Sequence, residues 1–182
     1  IAAAEQNISL MGELEGALAA GQIQVHYQPK LAIAQNRIRS AEALVRWLHP
    51  QRGWISPDRF IPLAEQSGRI EGLTLHVLQT VLADLAQWRA MGMELTVAIN
   101  ISAKLLTSPS FNAAMRGVIE ATDVPPSALI YEVTESAAIA DPDAAVKALH
   151  DYRDLGIAIS MDDYGTGQSA LSGMPNLQRL LG

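Results

Sequence analysis

Apolar residues first recur at helical spacing over residues 9–20, where Leu10, Leu14 and Leu18 mark one face and Gly21 ends the run. The pattern predicts an amphipathic lead-in helix. Residues 23–28 (IQVHYQ) alternate and are β-rich, so they predict a strand stopped by Pro29. A second strand over 37–47 returns through a hairpin at Ala34-Gln35-Asn36. Residues 49–57 read as a turn-rich loop, and Ser56-Pro57-Asp58 opens a helix that runs to Gly68. A long helix over 72–91 places Leu75, Leu78, Leu82 and Leu85 on one face and stops at Gly92. Beyond it lie a strand at 95–101, a helix at 109–122, a strand at 129–134 and a helix at 141–155. Residues 157–161 form a short apolar run closed by acids and glycines, as in a buried parallel strand that opens onto a loop. Strand followed by helix, repeatedly, implies an α/β fold with a mostly parallel sheet and helices outside.

Polar residues interrupt the strands at four places. Glu42 lies among Ala41, Ala43 and Leu44, where a carboxylate is costly unless paired or bound to metal. An ion pair with Arg39 or Arg46 is the plain alternative. Asn100 ends its strand, either capping the next helix or offering a neutral oxygen to a hard cation. Glu132 lies within the 129–134 strand and Glu135 follows its end. Asp162 and Asp163 close the last apolar run, and Gly165-Thr166-Gly167 follow. Adjacent carboxylates repel unless one is protonated or a cation lies between them, which leaves helix cap and metal ligand both open. Groups at 42, 100, 132 and 162, each at the end of a βα strand, converge on one face of a barrel. Oxygen-only donors suit Mg²⁺ or Mn²⁺ more than zinc. His26 is open to a ligand role, but a lone strand histidine is more often structural, and Gln28 at the strand end either offers an amide to a base edge or satisfies backbone.

Composition narrows the chemistry. With 182 residues, 49% of them hydrophobic, the chain is ample for one domain with a real core. A net charge of -6 and a pI near 5.1 argue against electrostatic binding to DNA or RNA, though not against a nucleotide held through metal ions. The absence of cysteine removes disulfides and thiolate metal sites. No run approaches membrane-spanning length. The first residue is Ile, so the chain is expected to be a piece of a longer protein.

Several stretches, taken in order, resemble one family. Tyr27-Gln28-Pro29, Glu42-Ala43-Leu44, Arg46-Trp47, His49-Pro50 and the run from Pro57 to Glu65 come first. Asn100-Ile101-Ser102, Glu132-Val133-Thr134-Glu135-Ser136 and Asp162-Asp163-Tyr164-Gly165-Thr166-Gly167 follow. Together they resemble the EAL-domain cyclic-di-GMP phosphodiesterases. The resemblance implies a TIM-like (β/α) barrel that hydrolyses cyclic di-GMP to linear pGpG with two Mg²⁺ or Mn²⁺ ions. It implies Glu42, Asn100, Glu132 and Asp162 as metal ligands, with Asp163 on the second metal. Glu135 is implied to hold the loop after Asp163 in its active shape. Gln28 and Arg46 are implied to contact the dinucleotide. A homodimer, a fused sensory or GGDEF-type domain, and a cytoplasmic location in a parent protein that is itself open to membrane anchoring also follow from the resemblance.

The sequence departs from the family after the double-Asp loop. The family continues to a strand with a Lys-x-Asp motif and two further strands, whereas here GMPNLQRLLG follows Ser172. About five of the eight barrel strands are expected, with residues missing near 172–173 and after 182. Residues 1–22 form the lead-in and 23–182 the barrel portion. Tyr164 stands where Phe is commoner. The leading expectation is a hydrolase, and the alternative is a catalytically inactive receptor for the same dinucleotide. If the lysine strand is truly absent from the protein, and not only from this stretch, no turnover is expected.

Overall fold

The computed structural model describes residues 2–134 and 141–162. Helix α1 (Ala2–Ala19) buries Leu10, Met11, Leu14 and Ala17, a stripe at helical spacing, and Gly21 closes it in the left-handed region at φ 70°. Strands β1 (Ile23–Ala32) and β2 (Arg37–His49) form an antiparallel hairpin, turned by Asn36 at φ 47°. Strand β3 (Gly53–Ile55) folds back on the end of β2, so residues expected in a loop instead make a short antiparallel pair. Helices α2 (Pro57–Gln66) and α3 (Ile70–Ala90) follow, then β4 (Thr96–Ile101) and the short α4 (Ala103–Leu106). Helix α5 (Pro109–Glu120), β5 (Leu129–Thr134), α6 (Pro142–Asp154) and β6 (Ala158–Asp162) complete the described chain.

The sheet runs β1-β2-β4-β5-β6, with β3 attached to β2. The steps from β2 through β6 are parallel and those to β1 and β3 antiparallel. This is the α/β, barrel-type architecture expected from the alternating pattern, with six strands rather than five, and it is not closed among the described residues. Two expectations are corrected. Pro29 does not stop β1, which continues to Ala32 with Pro29 opposite Ala41. An edge strand tolerates the missing N–H. The core stripe of α3 runs through Leu73, Val77, Leu78, Val81, Leu82 and Leu85, and Leu75 is only partly buried beside it.

The two faces of the sheet are chemically opposite. Odd-numbered strand residues (Ala43, Trp47, Val97, Ile99, Leu129, Tyr131) are buried among the helices. Trp47 meets Phe60 edge-on at 5.6 Å, and Tyr131 meets Tyr152 at 5.1 Å. Tyr27 anchors β1 to α3, its hydroxyl donating to Asp84 and its ring against Trp88 at 4.9 Å. Burial and that hydrogen bond push the Tyr27 phenol well above its usual range. The even-numbered residues line the other face, which carries the candidate chemistry. No helix among the described residues is long and apolar enough to cross a membrane.

Candidate active site

Strand pairing decides which polar groups share the inner face. In the antiparallel hairpin Gln28 lies opposite Glu42, and Lys30 opposite Ser40. In the parallel steps Glu42 registers with Ala98, Asn100 with Glu132, Glu132 with Ser160 and Thr134 with Asp162. Because strand residues alternate faces, Gln28, Lys30, Glu42, Asn100 and Glu132 all emerge on one side. Asp162 lies two positions past Ser160, at the last described position of β6. The staggered rows match the shear of a barrel wall.

These groups form a bonded cluster. Glu132, only 8% exposed, accepts a hydrogen bond from Lys30 Nζ at 2.9 Å on its Oε1. The same ammonium lies 3.7 Å from Glu42 Oε2, while Asn100 Nδ2 donates to Glu42 Oε1 at 3.2 Å. Glu42 is thus paired, but with Lys30 across the hairpin and not with Arg39 or Arg46. The hydrogen bond to Glu132 raises the Lys30 pKa above its ordinary value; burial works against this, and the charges of Glu132 and Glu42 work with it. Arg46, four residues along β2, is half-buried and donates from Nη1 to the carbonyl of Val45 at 2.9 Å. Gln28 is exposed.

A cleft opens beside the cluster for a topological reason. Strands β2 and β4 pair only from Ser40 to Glu42 on the β2 side, after which β2 takes β3 as neighbour from Trp47 onward. Between these points the two strands part. The gap, about 250 Å³, has Leu44 and Arg46 on one wall, Ile99, Asn100 and Ser102 on the other, and Ile61 and Leu73 beneath. Glu65 of α2 bridges to the β4 wall, its carboxylate accepting from the Ser102 hydroxyl at 2.6 Å and its carbonyl from Lys104 Nζ at 2.9 Å. Apolar walls with a few convergent polar groups are the usual construction of a small-molecule site.

Among the described residues no three His, Cys, Asp or Glu side chains stand together at a metal-holding spacing. The cluster nevertheless fits a hard divalent cation on two grounds. Its donors are carboxylate and amide oxygens, and a positive charge already lies between the two carboxylates in the form of the Lys30 ammonium. Glu135 and Asp163, expected to hold the loop and a second metal, lie outside the described residues. So does the Ser172–Gly173 join. His26 is exposed, its Nε2 3.2 Å from Gln24 Oε1 and its ring against Trp54. It takes no part in the cluster. Sequence reasoning missed Lys30, although its spacing two residues beyond Gln28 puts it on the same face of a strand. It missed the Glu65 bridge as well, since a helix glutamate gives no sign of which neighbour it reaches.

Comparison with known proteins gives the family. The EAL domain family model matches residues 11–179. The chain is 38% identical over 164 residues to the probable cyclic di-GMP phosphodiesterase PdeB of Escherichia coli, covering 90% of this chain and 32% of PdeB. It is 40% identical over 170 residues to the cyclic di-GMP phosphodiesterase NbdA of Pseudomonas aeruginosa, covering 93% of this chain and 22% of NbdA. The chain thus spans a third or less of these relatives. Among solved structures, the PaMucR phosphodiesterase in complex with c-di-GMP superposes with a TM-score of 0.85 at 37% identity, covering 94% of this chain and 68% of that one. With its model matched over most of its length, its polar strand residues on one face and its fold shared with that phosphodiesterase, the chain belongs to the EAL domain family.

Proposed function

We propose that this domain hydrolyses cyclic di-GMP to linear pGpG with two Mg²⁺ or Mn²⁺ ions. The observation that carries the reading is the buried Glu132 sharing a face and a cation with Glu42, beside Asn100 and a cleft that Arg46 borders. Support comes from relatives named as cyclic di-GMP phosphodiesterases and from the general dependence of EAL phosphodiesterases on divalent metal. In this reading Glu42, Asn100, Glu132 and Asp162 hold metal, with Asp163 on the second ion. Metal ions of this kind, when bound, lower the pKa of a water and neutralise charge on a phosphate.

The remaining work falls to the chain's own groups. Arg46, which borders the cleft, orients a phosphate oxygen in this reading, for which a guanidinium offers a planar pair of donors. To do so it exchanges its hydrogen bond to the Val45 carbonyl for the ligand. Gln28, opposite Glu42, offers an amide to the dinucleotide. The apolar walls of Leu44, Ile61 and Leu73 receive a planar ring and exclude water around it. Glu135 is assigned to hold the loop after Asp163. Water adds to phosphorus, one bridging P–O bond breaks, and the products are a terminal 5′-phosphate and a free 3′-hydroxyl.

Attachment to sensory or GGDEF-type domains, a homodimer and a cytoplasmic location belong to the same proposal. The alternative of an inactive receptor is weaker, because Glu42, Asn100, Glu132 and Asp162 all keep oxygen donors. The test is incubation of the full-length protein with cyclic di-GMP and Mg²⁺ or Mn²⁺, beside Asp162→Asn. Formation of pGpG that the substitution abolishes is the expected result. Binding of the dinucleotide without product would leave the receptor reading standing.

A further inference from the structure

We infer that Lys30 is a built-in counter-ion that occupies the carboxylate pair when divalent metal is absent and is displaced when metal binds. The inference rests on the metal reading proposed above and adds to it a residue that competes for the site.

The cluster shows why a resident cation is required. Glu132 is nearly removed from solvent, and a buried carboxylate without a positive partner is strongly unfavourable. Glu42 lies on the same face and adds a second negative charge. Lys30 reaches from β1, across the face of β2 and β4, to Glu132 on β5, and comes near both acids with one ammonium. Its three donors suit two carboxylates, and it acts as a compact point charge without fixed geometry.

Its position also permits it to leave. The Lys30 side chain is 49% exposed, and β1 has no strand neighbour but β2 among the described residues. Withdrawal into solvent therefore opens no core. Glu42 must change partners too, since both of its oxygens are engaged, one beside Lys30 and the other by the Asn100 amide. Asn100 donates its NH₂ to Glu42, and an amide that ligates metal presents its oxygen instead. Lys30 and Asn100 thus satisfy the two carboxylates from within the chain, Lys30 as the cation and Asn100 as a donor.

Competition has a defined sign. Removing Lys30 removes the competitor, so metal binds more tightly, and the same change leaves the metal-free carboxylates uncompensated. The experiment titrates the full-length protein, freed of metal by chelation, with MnCl₂ and follows unbound Mn²⁺ by its electron paramagnetic resonance signal. Lys30→Met should bind Mn²⁺ roughly tenfold more tightly than wild type, in the range usual for coupling between two ligands. Its metal-free form should melt at lower temperature than wild type. A second readout needs no variant: pulsed acetylation of the wild type, read by mass spectrometry at Lys30, should speed up severalfold on adding Mn²⁺, since the freed amine becomes accessible. Equal Mn²⁺ affinity in the two proteins, or acetylation of Lys30 that Mn²⁺ leaves unchanged or slows, would overturn the inference while leaving the metal reading intact. Absence of Mn²⁺ binding in both proteins would overturn the two together.

Discussion

Strand β2 carries two base–carboxylate clusters, one near its middle at Glu42 and one at its end at His49, about 23 Å apart along the strand. In the first the buried member is an acid, Glu132, and the exposed member a lysine. In the second the buried member is His49, 3% exposed, and the acid, Glu13, is half-exposed at 41%. His49 accepts two backbone N–H groups on Nδ1, from Gln51 at 3.1 Å and Arg52 at 3.2 Å. That fixes the proton on Nε2, which donates to Glu13 Oε2 at 2.6 Å. Every polar atom of the ring is satisfied by groups fixed in the chain, so this cluster holds α1 against the β2–β3 turn and has nothing to exchange. The buried acid is different. Its partner is a flexible side chain that solvent can reclaim, and its need for positive charge remains when that side chain leaves. A buried base with fixed partners is a fastener, whereas a buried acid with a movable partner is a site.

The largest effect expected from breaking this contrast is at Glu132. Glu132→Gln keeps the shape and removes the charge, and should lower cyclic di-GMP hydrolysis by roughly a hundredfold or more, since even outer-shell changes cost 10–100-fold. The far-ultraviolet circular dichroism spectrum should stay that of the wild type. Loss of the fold along with activity would place Glu132 with the fasteners.

At His49 the expectation is reversed. His49→Ala removes the acceptor for two backbone N–H groups and the donor to Glu13, from a buried position. The cost should be about 1–3 kcal/mol, the usual penalty for buried groups left unpaired. Denaturant unfolding measures it. Mn²⁺ affinity should be unchanged, because the ring touches nothing in the Glu42 cluster.

How much of this was legible in the sequence depends on the range of the interaction. Apolar periodicity located β4, β5 and most helix bodies, since local spacing alone decides them. It failed at Pro29, where the outcome depends on β1 being at an edge, and at β3, whose three residues are too few to show alternation. Glu42, Asn100 and Glu132 were visible because a polar residue in an apolar strand stands out. Their partner Lys30 was not, because a lysine beside a proline near a turn looks like ordinary surface. Only the register across β1, β2, β4 and β5 brings it to Glu132. The Glu13–His49 contact was hidden for the same reason, as a helix face and a strand end meet only in the folded chain.

A smaller effect belongs to Arg52, whose Nη2 lies 3.1 Å from Glu13 Oε1 and also donates to Ser9. Both partners are substantially exposed, so Arg52→Ala should cost about 0.2–1 kcal/mol, and less as salt is added. Chemical denaturation at low and high salt reads the difference.

The smallest effect is a pH dependence, and its sign follows from Glu13. The hydrogen bond from His49, then that from Ser9, holds the Glu13 carboxyl below its ordinary value; burial opposes them, and the charge of Arg52 adds to the shift. A group whose pKa is depressed by folding stabilises the folded chain fully above its unfolded value, about 4.3, and loses that contribution as pH falls through the folded one. The wild type should therefore melt above Glu13→Gln at neutral pH, and the two melting temperatures should draw together as the pH is lowered below about 4.5. The site cluster should contribute nothing to this difference, since Glu13→Gln leaves Lys30, Glu42 and Glu132 untouched. A gap that persists unchanged into strong acid would mean that Glu13 holds α1 by its shape and neutral hydrogen bonding, and that the charge on this fastener is incidental.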